Sequence, residues 1–325
     1  MKRLLIILLL ISNIGWSQSA EKKTVQSVSK YSVPLDKNTK ERRDTETTST
    51  GSNQDSFNYY YSQYLNSESS NKDYQSLLSA YRMNPNYSEL YFEMAKYYEL
   101  SNETLNKRAF CEKLKATKLT PSLREYAYNT LMSVEQNGIL VTYGENDTYP
   151  IWVLQTIEGI RTDIKILNFD LMMNQTYRTR IAKEFGLNFA KSYSKNINIL
   201  ADVATRNSSK PIYFALTVSH LVLKDLKKNL FSTGLAFKYS KSSFNNIPLL
   251  KQNWESKFTK NYVSVTFNPA LSRRMNLNYV LPMIQLAEYY KENNMESQYQ
   301  SIKLKILAIA KNAGREEQIK KMLND

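Results

Sequence analysis

The sequence predicts a small α/β module with a mainly parallel sheet, flanked on both sides by helical hairpins. Three observations carry this reading. Residues 57–136 place apolar side chains at helical spacing, residues 137–245 alternate short β-type runs with helical stretches, and residues 278–325 return to the helical pattern. Strands that alternate with helices predict βαβ units, and hence parallel pairing.

The chain opens with Met1-Lys2-Arg3 and an apolar run from Leu4 to Ile11. A bilayer-spanning helix needs roughly 20 apolar residues, so this shorter run is expected to be the apolar part of a signal peptide over residues 1–17. Gly15-Trp16-Ser17 puts small residues where a signal peptidase needs them, which predicts cleavage before Gln18. The lone cysteine, Cys111, is far from that position, so no lipid can be added there, and one cysteine forms no intrachain disulfide. The expected location is therefore the periplasm or the periplasmic face of the outer membrane, with no transmembrane segment after signal cleavage.

Residues 18–56 are rich in Ser, Thr, Lys, Glu, Asn and Gln. Such a segment buries too little apolar surface to offset chain entropy, and a disordered linker is expected. The helical block 57–136 contains an internal echo. Leu78-Ser79-Ala80-Tyr81-Arg82-Met83-Asn84-Pro85 returns in type as Leu114-Lys115-Ala116-Thr117-Lys118-Leu119-Thr120-Pro121, with Ala80 to Ala116 and Pro85 to Pro121 both 36 residues apart. This resembles the tetratricopeptide repeat, a helix pair of about 34 residues in which a small residue lets helices touch and a proline closes the second helix. Ala287-Glu288-Tyr289-Tyr290-Lys291 echoes Ala95-Lys96-Tyr97-Tyr98-Glu99, which predicts a C-terminal hairpin over 278–325 after a connecting segment at 246–277.

Within the α/β module, Ile139–Tyr143, Ile164–Phe169 and Pro211–Leu216 read as strands, and Leu230–Tyr239 reads as a fourth. Helices are expected after Pro150, near 175–186 with Gly186 as the stop, and near 196–207. Between the first strand and its helix lies Gly144-Glu145-Asn146-Asp147-Thr148-Tyr149-Pro150. Ligands of open α/β sheets sit beyond the carboxyl ends of strands, which is where this loop falls. One reading is structural: Gly144 makes the turn, Asp147 or Thr148 caps the helix, and Pro150 opens it. The other uses the surplus acceptors: Glu145, Asn146, Asp147 and Thr148 hold a cation or a hydroxyl-rich ligand, with Trp152 or Tyr149 as a stacking face. Arg161, Asp163 and Asp170 are the remaining candidates; Asp163 and Asp170 would complete an acidic pocket, whereas Arg161 would pair with Glu158 or Asp163. The loop is acidic and has one glycine, unlike a phosphate cradle. His220 reads as a helix-start or packed residue, and no catalytic residue, metal site or cofactor is expected.

The string Gly138–Gln155, followed by Glu158-Gly159-Ile160-Arg161-Thr162-Asp163, resembles the soluble region C-terminal to the membrane helices of bacterial multi-pass proteins related to protein O-mannosyltransferases. Lys210-Pro211-Ile212-Tyr213-Phe214-Ala215 matches the type of strand that follows there. The resemblance covers about 100 of 325 residues. It implies a module exposed to the periplasm; the family's catalytic machinery is associated with its membrane portion, which has no counterpart in this chain.

The formal charge of +14 falls to +12 when Lys2 and Arg3 leave with the signal peptide. No nucleic-acid motif accompanies it, and export argues against nucleic acid as the partner. The basic excess reads as a solvated surface or as attraction to an anionic membrane surface, with Lys303, Lys305, Lys311, Arg315, Lys320 and Lys321 as the candidate face. Twenty-four tyrosines supply rigid amphipathic contact area. The leading expectation is a non-enzymatic envelope protein that binds a protein partner through its helical surfaces. The alternative is a glycan-binding or glycosyltransferase-accessory protein that uses the Gly144–Pro150 loop.

Overall fold

A computed structural model describes residues 48–68, 71–193, 198–266 and 269–323. The expected signal peptide and residues 18–47 of the expected linker lie outside them. The chain divides into two compact units that meet between Thr117 and Lys118.

The first unit is helical: α1 (Thr48–Asn66), α2 (Tyr74–Met83), α3 (Leu90–Leu100) and α4 (Thr104–Thr117). Helix α1 pairs with α2 and α3 with α4, so the unit is two helical hairpins. Asp73 starts α2 by accepting from the Ser76 N–H at 3.0 Å and the Ser76 hydroxyl at 2.7 Å. Leu77, Ala80, Leu90, Met94, Ala95 and Leu114 are fully buried between the helices. Ala80 occupies a helix contact as its small size predicts, but Ala116, its echo, is exposed. Helix α1 begins at Thr48, inside the segment expected to be linker to residue 56.

The second unit begins with α5 (Pro121–Met132), which Thr120 caps and whose first residue is proline. Then come β1 (Ile139–Thr142), α6 (Glu145–Thr156), β2 (Lys165–Asn168), α7 (Phe169–Met172), α8 (Gln175–Phe185) and α9 (Asn198–Arg206). Gly186 ends α8 in the left-handed conformation with φ 61°. Strand β3 (Ile212–Ala215) is followed by a 3₁₀ turn at Lys224–Asn229, β4 (Leu230–Ser232) and β5 (Ala236–Tyr239). The sheet order is β2-β1-β3-β5-β4. Strand β1 pairs in parallel with β2 and β3, while β5 pairs antiparallel with β3 and β4. Every residue of β1 and β3 is buried, which is why both read as unbroken apolar runs. The expected fourth strand is corrected to a hairpin. The chain reverses at Thr233-Gly234, where Gly234 takes φ 135°.

The segment 246–277 is more than a connector. It carries α10 (Ile247–Gln252), a single π-helical turn (Asn253–Lys257), and α11 (Ala270–Asn276), and it is pinned to α5. The buried Glu125 carboxylate accepts from the N–H groups of Asn261 and Tyr262, both at 2.8 Å. Asn129 donates to the Thr259 carbonyl at 2.7 Å and accepts from the Thr259 N–H at 3.0 Å. Ser122 donates to Ser272 at 2.7 Å. Helices α12 (Val280–Glu292), α13 (Glu296–Asn312) and α14 (Glu316–Leu323) close the unit, with α12 and α13 forming the C-terminal hairpin. No helix among the described residues is long and apolar enough to cross a membrane.

Candidate functional site

The chain runs from β1 to β2 on one side and then returns to β3 on the other side of β1. The carboxyl ends of β1 and β3 therefore face the point where connections diverge, the position at which open α/β sheets form a crevice. Gly144 makes the exit from β1 with φ 78° and caps α6 without a side chain. The helix begins at Glu145, earlier than expected, so Pro150 lies in its second turn rather than at its start. Proline there leaves the Asn146 carbonyl without its usual helical donor.

The loop's polar groups are largely consumed by local structure. Glu145 pairs with Lys118 at 2.8 Å. Asp147, 3% exposed, accepts from the Tyr143 N–H through Oδ2 at 3.1 Å, holding the entry to the helix. Thr148 shares a hydrogen bond with Thr142 at 2.9 Å and accepts from Asn168 Nδ2 at 3.0 Å. Asn168 in turn caps α7 through the Leu171 N–H at 3.0 Å. A buried polar chain thus joins the ends of β1 and β2. Asn146 is half-buried beside it.

Asp147 is the strained member. Burial raises its carboxyl to about 6 from 3.8, and the Thr217 hydroxyl and the Tyr143 N–H offset only part of that. Its Oδ1 atom makes no well-formed hydrogen bond among the described residues, and neither does Thr217 Oγ1. Thr217 follows β3, so this carboxyl lies between the two diverging strand ends. Tyr126 sits close enough for its hydroxyl to feel the Asp147 charge, which together with burial holds it neutral.

The expected stacking faces are not available. Trp152 is 3% exposed and Tyr149 is 1% exposed, and the Tyr149 hydroxyl donates to the Lys118 carbonyl at 3.0 Å. The α6 face that carries them is packed into the core, because a helix covering a buried sheet turns its apolar side inward. His220 is half-buried in the turn after β3, and burial with nearby Lys227 lowers its imidazole below the usual value.

Arg161 and Asp163 lie elsewhere. They precede β2 and so sit at the amino edge of the sheet, away from the Gly144–Thr148 loop and from Asp170, which follows β2. The expected pocket joining Asp163 and Asp170 is therefore not formed. Arg161, at φ 49°, grips Asp163 with two nitrogens at 2.9 and 3.0 Å. Its guanidinium also donates to the Leu131, Val134 and Glu135 carbonyls, closing the C-terminus of α5. Asp163 accepts from the Asn137 N–H at 3.0 Å, and the Arg161 guanidinium keeps its carboxyl below the usual range. The ion pair expected from the sequence is thus present and serves as a clamp.

At this edge lies a cleft of about 410 Å³, with Arg161 and Asp163 on one wall and Leu249, Asn253 and Lys257 on the other. The sequence pointed to neither Asn253 nor Lys257; a lone amide and a lone lysine in a helical stretch carry no pattern. No group of three or more His, Cys, Asp and Glu side chains that could hold a metal occurs among the described residues.

The family model of TMEM260-associated domain 2 matches residues 123–184, from α5 through most of α8. No curated protein and no solved structure matches the chain.

Proposed function

We propose that the chain is an exported, non-enzymatic binding protein of the cell envelope whose N-terminal helical hairpins hold a protein partner. One observation carries the reading: the helical unit is laced with aromatic rings, and part of its apolar set reaches the surface instead of the core. Phe57, Tyr61 and Tyr87 meet with ring centroids 5.1–5.7 Å apart. Tyr74, Tyr97, Tyr98, Phe110 and Tyr81 continue as a second ladder. At the surface, Tyr59 is 60% and Leu105 83% exposed, and Met83 and Tyr87 are exposed as well. Aromatic and Met side chains are enriched at protein interfaces, where a rigid ring buries area at low entropic cost. The acidic loop, by contrast, has most of its groups engaged internally.

The test is capture from envelope extract by the full chain and by a Tyr59→Ser, Leu105→Ser variant. The partner is expected to be retained by the wild type and lost by the variant at an unchanged melting temperature. Equal capture by both would sink the reading.

A second reading has its own support. The TMEM260-associated match, named for an O-mannosyltransferase-related protein, covers the loop and the buried carboxyl. It favours an accessory to glycosyl transfer or a glycan binder acting from the β1–α6 region. Loss of glycan retention in Glu145→Ala, with capture of the protein partner intact, would favour it.

A further inference from the structure

We infer that the cleft at the amino edge of the sheet binds a small carboxylate that also carries hydroxyl groups. Its volume of about 410 Å³ lies in the range of small-molecule sites. Most of its charged groups are already satisfied. Arg161 spends its guanidinium on Asp163 and three carbonyls, and Glu135 takes the Lys238 ammonium at 2.7 Å.

Two groups on the facing wall are not satisfied. Asn253 is 1% exposed and donates Nδ2 to the Thr233 carbonyl at 2.7 Å, but its Oδ1 has no hydrogen-bond partner among the described residues. Lys257 makes no hydrogen bond or ion pair among them, and its ammonium is partly buried near the Arg161 charge. Both belong to one π-helical turn, closed by the Phe258 N–H donating to the Asn253 carbonyl at 2.9 Å. Single π turns are uncommon and recur at functional sites, because they re-aim side chains that an α-helix would place elsewhere.

The chemistry of the ligand follows from what is missing. A buried acceptor without a donor calls for a hydroxyl or N–H group. An ammonium beside a second cation calls for an anion. Phosphate is disfavoured because the Arg161 fork, which would grip it in bidentate fashion, is occupied. Leu249 supplies an apolar surface for a carbon skeleton. A hydroxyl-bearing carboxylate meets all of these, whereas a neutral sugar lacks the charge and a simple carboxylate lacks the donor.

The probe is D-glucuronate, titrated into the full chain by calorimetry, with D-glucose and acetate as controls. Glucuronate is expected to saturate and to bind at least about tenfold more tightly than either control. Lys257→Gln is expected to lose at least about tenfold in affinity at an unchanged melting temperature, and Lys257→Arg to stay within about threefold of wild type. If Lys257→Gln unfolds the chain, the Lys257→Arg variant and the two controls still decide the matter. No saturable glucuronate binding, equal affinity for acetate, or undiminished binding by folded Lys257→Gln would each overturn the inference.

Discussion

At the scale of the residue, Asp147 is a group the fold holds at a cost. Its carboxyl is raised to about 6 in the folded chain against 3.8 in the unfolded one. Between roughly pH 4 and 6 the folded chain therefore keeps a proton that the unfolded chain has released. The sign follows: this group favours the folded state at low pH, and the advantage is lost as pH rises towards 6. Above that the deficit is constant, on the order of 3 kcal/mol. Asp147→Asn keeps the acceptor for the Tyr143 N–H and removes the charge. It is expected to raise stability at pH 7.5 by about 1–3 kcal/mol and to flatten the change in melting temperature between pH 5 and 7.5. Thermal melts at both pH values measure this. A variant destabilised at both would mean that the charge-assisted bond to Tyr143 outweighs the burial penalty.

At the scale of the element, much of the fold was legible because the signals were local. Strands β1, β2 and β3 are apolar runs bounded by Gly138, Asp163 and Pro211, and Gly186 stops α8 where a residue of left-handed conformation is needed. The loop departs from its sequence pattern at one point. Pro150 looked like a first-turn residue, and only the folded chain reveals that α6 starts at Glu145 and tolerates proline in its second turn. The candidate site was half legible for a related reason. Asp163 and the acidic loop are close in sequence, but strand direction sends them to opposite edges, and a four-residue strand spans about 13 Å. The β4–β5 hairpin is hidden in the sequence because Thr233-Gly234 interrupts an otherwise continuous strand pattern by one tight turn. Tertiary packing makes that turn obligatory: a Cβ on Gly234 would lie 2.5 Å from both the Ser133 hydroxyl and the Phe258 ring, at φ +135°. Gly234→Ala is accordingly expected to cost about 3 kcal/mol, read as the shift in urea midpoint. A shift near zero would mean that α5, the hairpin and the π turn are packed less tightly together than these distances require.

At the scale of the whole molecule, the boundary between units decides what α5 is for. Apolar periodicity groups α5 with the N-terminal hairpins and places the boundary at residue 136, because a helix followed by a strand looks like a change of domain. Buried polar contacts assign it differently. Through Glu125, Asn129 and Ser122 it satisfies the backbone of residues 259–262 and the hydroxyl of Ser272, and its C-terminal carbonyls are the acceptors for Arg161. A buried polar group deprived of its partner costs about 1–3 kcal/mol, and several are involved at once. Two fragments separate the alternatives. A chain of residues 118–325, at about 200 residues, is long enough to bury a self-sufficient core, and it is expected to unfold in one cooperative thermal transition. A chain of residues 137–325 keeps the entire sheet but loses α5, leaving the Arg161 guanidinium without its three carbonyl acceptors and the 259–262 backbone without the side chains of Glu125 and Asn129. It is expected to lack a cooperative transition and to show little near-ultraviolet circular dichroism. Cooperative melting of the shorter fragment would show that the sheet and C-terminal hairpin carry the core without α5, and that the periodicity reading of the boundary was the correct one.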